Sequence, residues 1–152
     1  MFTIYCQNTL VPLLLRLALA AVFLFHGLHH VGGEDNQWGA SWNRAPGALP
    51  APLQIAVAWG ELLGGLALAL GFLTRLAAAG IILMMAGAIA TVHWPHGFDN
   101  RVGGFEYNFV LLITSLCLVL GGPGPLAVDR FFRSKDRVRE QPEHSHSPPV
   151  VR

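Results

Sequence analysis

One acidic residue, Glu61, stands inside the apolar run from Leu53 to Leu73. Carrying an ionised carboxylate to the middle of a bilayer costs at least about 2.5–3.5 kcal/mol. A chain with such a run must fold so that Glu61 is protonated, paired or put to use. Gly60, Gly64 and Gly65 flank it, and glycines in an apolar helix let a neighbour approach closely.

Three further runs are of the same kind. Leu10 to Leu28 is interrupted by Arg16 and His26, Leu76 to Val92 is rich in Ala, Gly and Met, and Phe105 to Leu120 carries Glu106, Asn108 and Cys117. About 20 apolar residues span the hydrocarbon core as a helix. The chain is 53% hydrophobic and 12% charged, too apolar for a soluble domain of this size. The fold expected is an all-α, four-helix transmembrane bundle with helices at about 10–30, 52–73, 75–94 and 105–121. Residues 1–132 form this membrane domain, and 133–152 form a basic, then disordered, cytoplasmic tail. No Lys or Arg precedes the first run, and the run exceeds a usual signal-peptide core, so it is read as an uncleaved span. Thr74-Arg75 is read as a very short turn, which makes the second and third helices antiparallel neighbours. Gly121-Gly-Pro-Gly-Pro125 stops the fourth.

Charge gives the orientation. Arg130, Arg133, Lys135, Arg137 and Arg139 follow the last run. Positive residues stay inside, so that end is cytoplasmic, and four spans put the N-terminus there too. The formal net charge of +1 implies no nucleic-acid partner. Cys6 and Cys117 form no C-x-x-C pair, which argues against thiol–disulfide exchange and structural zinc. There is no phosphate-binding glycine loop, haem-attachment motif or nucleophile triad.

This topology gathers His26, His29, His30, His93, His96 and Glu106 at the outer ends of the helices, above Glu61. His26 lies three and four residues from His29 and His30, spacings that share a helical face. Three readings stand for the cluster. His26, His30, His93 and His96 could ligate a transition metal, since bundle cores build such sites. His26, His93 and Glu106 could instead flank a quinone headgroup and relay protons between Glu61 and the outer phase. Or the histidines hydrogen-bond to loops and water at the headgroup level. Arg16 either snorkels to the inner surface or serves as counter-ion to Glu61. Asp129 is expected to form a structural salt bridge with Arg75 or Arg16. Gly60 and Gly64, with Ala67, Gly71, Gly80 and Gly87, are expected to pack helices together.

The chain resembles the DoxX family of small four-helix membrane proteins. The resemblance rests on Leu15-Arg16-Leu17 with Gly27, on Gly60-Glu61-Leu-Leu-Gly64-Gly65 through Gly71-Phe-Leu-Thr-Arg75, on His93 with Gly97 and Glu106, and on Gly122-Pro-Gly124-Pro-Leu-Ala-Val-Asp129. It covers roughly residues 10 to 132. It implies a cytoplasmic-membrane protein, in a family where some members are subunits of quinone-linked sulfur oxidoreductases and others associate with redox-defence enzymes. The histidine-rich outer rim and the loop bearing Trp38 and Trp42 depart from the family pattern. The expected function is a membrane subunit of a quinone-linked redox system, with Glu61 exchanging the proton and His26, His93, Glu106 and Arg16 around the cofactor. Two alternatives stand beside it: a non-catalytic scaffold that anchors a soluble redox enzyme, and a small-solute or proton carrier. The partners implied are the lipid bilayer, a redox enzyme, and further copies or subunits in a homo-oligomer or hetero-complex.

Overall fold

The computed structural model describes residues 6–45 and 47–130. Each apolar run carries an α-helix: α1 Val11–Gly32, α2 Ala51–Leu70, α3 Thr74–Ala88 and α4 Glu106–Gly121. No strand occurs among the described residues. A π-turn, Cys6–Leu10, leads into α1, and α3 continues through a π-turn, Ile89–His93, and a 3-10 turn, Trp94–His96. Three segments are long and apolar enough to cross a bilayer: Gln7–Gly32, Ala51–Leu70 and Thr74–His96. α4 is apolar but has 16 residues, about 24 Å of helix against a hydrocarbon core of about 30 Å. The basic, then disordered tail expected over 133–152 lies outside the described residues.

Every helix turns a seam of residues three and four apart toward its neighbours. The buried positions are Arg16, Leu19, Ala20, Phe23 and Gly27 on α1, and Gln54, Ala58, Glu61, Gly65 and Leu68 on α2. On α3 they are Thr74, Ala78, Ile81 and Met85, and on α4 Asn108, Leu111, Ser115 and Leu118. Residues at this spacing share one face of a helix. Leu19, Phe23, Leu68, Ile81, Leu111 and Leu118 meet in one apolar core. Polar Arg16, Gln54, Glu61, Asn108 and Ser115 are buried, while Leu14, Phe25, Leu83 and Leu120 are 63–75% exposed. Outward apolar and inward ionisable side chains are what a lipid solvent selects.

α1 and α2 touch most intimately at two glycines. A β-carbon on Gly27 would lie 2.4 Å from Leu62 N, and one on Gly65 would lie 2.8 Å from Leu24 N. Of the expected packing glycines, Gly71 packs tightly against Arg16 and Ala127, and Gly60 meets Met84 Sδ of α3 at 3.6 Å from an added β-carbon. A β-carbon on Gly64, Gly80 or Gly87 would meet nothing within 4 Å. Gly64 is one residue, about 100°, off the seam that Gly65 occupies.

The α2–α3 turn is Gly71-Phe72-Leu73, and Thr74-Arg75 already belongs to α3. Gly71 takes the left-handed conformation (φ 70°), so its N–H reaches Leu68 O and that of Phe72 reaches Ala67 O. This closes α2 as a Schellman-type cap. Leu73 is also left-handed (φ 48°). Asp129 holds it there: Oδ1 accepts from Leu73 N at 2.6 Å and Oδ2 from Thr74 N at 2.9 Å. The expected Asp129 salt bridge with Arg75 or Arg16 is therefore replaced by a helix cap, and neither pair is within ion-pair distance. The free N–H groups and partial positive charge of a helix N-terminus give the carboxylate a better-placed partner.

Candidate functional site

The seam of α1 runs past Gly27 to His30, the next position in its three-four rhythm. There His30 Nδ1 lies 2.6 Å from Glu61 Oε2 on α2. The side chains of His30 and Glu61 are 17% and 10% exposed. Gly27 sets this contact up, because its missing side chain lets the α1 backbone lie against Leu62. An imidazole–carboxylate hydrogen bond at this length belongs to the charge-assisted class.

A lid closes over the pair. The indole of Trp42 stacks on the His30 ring at 4.1 Å between centroids and 21° between planes. Buried Gln54, in the first turn of α2, holds the lid down. Its Oε1 accepts from Asn43 N at 2.9 Å, and its Nε2 donates to Asn43 O and Leu49 O. Its backbone carbonyl accepts from Trp42 Nε1 at 3.0 Å. Trp59 Nε1 donates to Trp38 O, and Gly39 packs on Ala58. The loop after α1 is thus bonded to α2, with Trp42 half-buried and Trp38 exposed.

The other expected site residues lie elsewhere. His26 is half-buried, edge-on to Phe25, with its ring centroid 6.0 Å from that of His30. His93 Nδ1–H donates to Gly103 O at 2.7 Å, and His96 Nδ1–H to Val92 O at 3.1 Å. Glu106 is exposed in the first turn of α4, facing Asn100 N at 3.4 Å. His26, His30, His93 and His96 do not converge, and no group of three His, Cys, Asp or Glu side chains suited to a metal forms among the described residues.

Arg16 is neither beside Glu61 nor snorkelling. It is 1% exposed, and fourteen residues of α1, about 21 Å of helix, separate it from His30. Its Nε donates to Leu68 O at 3.0 Å and Nη2 to Ala69 O at 3.2 Å. Nη1 donates to Pro123 O and Leu126 O at 3.1 and 2.9 Å. The guanidinium therefore ties the C-terminus of α2 to the loop after α4. The last carbonyls of a helix are unpaired and carry partial negative charge, so a buried cation is well matched there.

The DoxX family model matches residues 11–94. The chain belongs to the DoxX family. With its apolar helices, membership makes it a multi-pass membrane protein. The matched segment of this DoxX chain holds α1 to α3 and both members of the His30–Glu61 pair. A Bacillus subtilis (strain 168) protein named "Putative oxidoreductase CatD" is 34% identical over 124 residues, covering 81% of this chain and 88% of that protein. A Haemophilus influenzae protein named "Uncharacterized protein" is 29% identical over 125 residues, covering 80% and 82%. No solved structure matches the chain.

Glu61 and Arg16 stood out in the sequence as charges in apolar runs. The loop bearing Trp38 and Trp42 reads from the sequence as a lid on the bilayer surface, but Gln54 as its latch does not, and His30 is one of five equivalent histidines. The signal for His30 was present: continuing the three-four spacing from Arg16 through Ala20, Phe23 and Gly27 lands on it.

Proposed function

We propose that this DoxX protein is a membrane subunit of a quinone-linked redox system in which Glu61 and His30 together exchange a proton with the outer aqueous side. The observation that carries this reading is the 2.6 Å contact of the two side chains beneath Trp42. Similarity to a protein named as an oxidoreductase favours a redox setting. The basic residues after α4 favour a cytoplasmic C-terminus in the cytoplasmic membrane, with α4 as a fourth span.

In this reading Glu61 stores the proton in the bundle. His30 takes it at Nδ1 and releases one from Nε2, as an imidazole with two ring nitrogens can. Trp42 keeps bulk water from the carboxylate. The donor set fits a quinone headgroup, since its carbonyl oxygens accept from imidazole N–H. A bound quinone would supply two-electron chemistry coupled to two protons, the electrons coming from a partner redox enzyme.

The test is a titration of purified protein in nanodiscs with a decyl-tailed ubiquinone analogue, read by tryptophan fluorescence. Saturable quenching is expected, and it should be lost in Glu61→Gln and weakened in His30→Ala. A wild type that shows no saturable quenching ends the proposal.

A further inference from the structure

At the opposite end from His30 and Glu61 lies a cavity of about 610 Å³, between the start of α3 and the loop that follows α4. Its walls include Leu73, Arg75, Leu76, Pro123, Asp129 and Arg130. We propose that this cavity binds the phosphodiester headgroup of an anionic phospholipid, with Arg75 and Arg130 as its ligands.

Charge comes first. Arg75 and Arg130 make no side-chain hydrogen bond or ion pair among the described residues. The one acid in the wall, Asp129, spends both carboxylate oxygens on the N–H groups of Leu73 and Thr74. Buried Arg16 stands behind it, against Gly71. Three arginines against one capped aspartate leave the site cationic, and a planar guanidinium matches a phosphate through paired N–H donors.

Position comes second. The Arg75 guanidinium lies against Gly122, 3.3 Å from where a β-carbon would stand, and both residues line the cavity. Exposed Leu73 and Leu76 lie beside it and continue into the apolar outer face of α3. A site that is cationic at its mouth and apolar at its flank, at the end of membrane helices, suits a headgroup whose acyl chains run down the helix surface. Basic pockets between membrane helices take anionic lipids in this way. A free phosphate would use the same two arginines and nothing of Leu73 or Leu76.

Native mass spectrometry of the detergent-solubilised full chain, titrated with phosphatidylglycerol or phosphatidylcholine, tests this. The wild type should retain one phosphatidylglycerol in preference to phosphatidylcholine. Arg75→Gln with Arg130→Gln should weaken that retention by about tenfold or more while leaving helicity unchanged. Equal retention by the double variant overturns the proposal, and would place the affinity in the basic residues after Arg130. Equal retention of the two lipids by the wild type also overturns it. Displacement of phosphatidylglycerol by millimolar inorganic phosphate would assign the site to free phosphate and overturn the lipid. Should the double variant fail to fold, Arg75→Gln alone must still lower phosphatidylglycerol retention, and unchanged retention there counts against the proposal.

Discussion

A β-carbon on Gly71 would lie 2.5 Å from Nη2 of Arg16. The two residues, 55 positions apart in sequence, fill one space at the end of α2. Gly71→Ala would conflict twice, with the left-handed backbone (φ 70°) and with the guanidinium. The backbone term is about 1–2 kcal/mol, and each hydrogen bond lost from a charged donor adds about 1.5–3 kcal/mol. Unfolding in detergent should show a loss of at least about 2.5 kcal/mol. Arg16→Lys should be comparably damaging, because one ammonium cannot reach four carbonyls on two segments. A wild-type unfolding midpoint for Arg16→Lys would refute the clamp.

The α1–α2 contact predicts a contrast between neighbouring glycines. Gly27→Ala and Gly65→Ala must push the helices apart, which costs about 1–3 kcal/mol of the kind seen in overpacked cores. Gly64→Ala meets nothing within 4 Å and gains up to about 1 kcal/mol of helix propensity. Thermal unfolding of the three variants should separate them in that order. Equal destabilisation by Gly64→Ala would mean that its face is covered by something outside the chain.

The His30–Glu61 pair should appear as an energetic coupling. A double-mutant cycle with His30→Ala and Glu61→Ala is expected to give about 1–3 kcal/mol, the range for contacting polar groups. His93→Ala, whose ring is bonded to Gly103 instead, should couple to Glu61→Ala by less than about 0.5 kcal/mol. The reverse order would mean that His93 is the working partner.

The loop before α4 predicts a pH effect with a definite sign. The Arg101 side chain, and then its backbone N–H, hold the Asp99 carboxyl below the usual aspartate range. Asp99 in turn raises Arg101. A carboxyl lowered in the folded loop favours that loop above the ordinary aspartate range, and the preference fades as pH falls through the lowered value. Carboxyl carbon shifts followed by NMR should show an Asp99 midpoint below the ordinary aspartate range. Arg101→Gln should return it upward. An unmoved midpoint would show that the pair does not form in solution.

What the sequence determined by itself is the kind of fold. Apolar runs interrupted by Gly and Pro must become helices in lipid, because a helix satisfies its own backbone where no water can. The runs mark four helices, three of them in segments long enough to cross a bilayer, and the glycine, arginine and aspartate pattern was enough to point to the DoxX family. It also marked Arg16, Glu61 and Asp129 as residues that needed partners.

Only the tertiary structure chose those partners. Glu61 meets His30, and not His26, because helix rotation and the register set by Gly27 and Gly65 decide which histidine faces the acid. Arg16 meets backbone carbonyls of Leu68, Ala69, Pro123 and Leu126, and Asp129 meets the N–H groups of Leu73 and Thr74. Every residue carries those backbone groups, so no pattern of side chains reveals which of them a helix end leaves unpaired within reach of a buried charge.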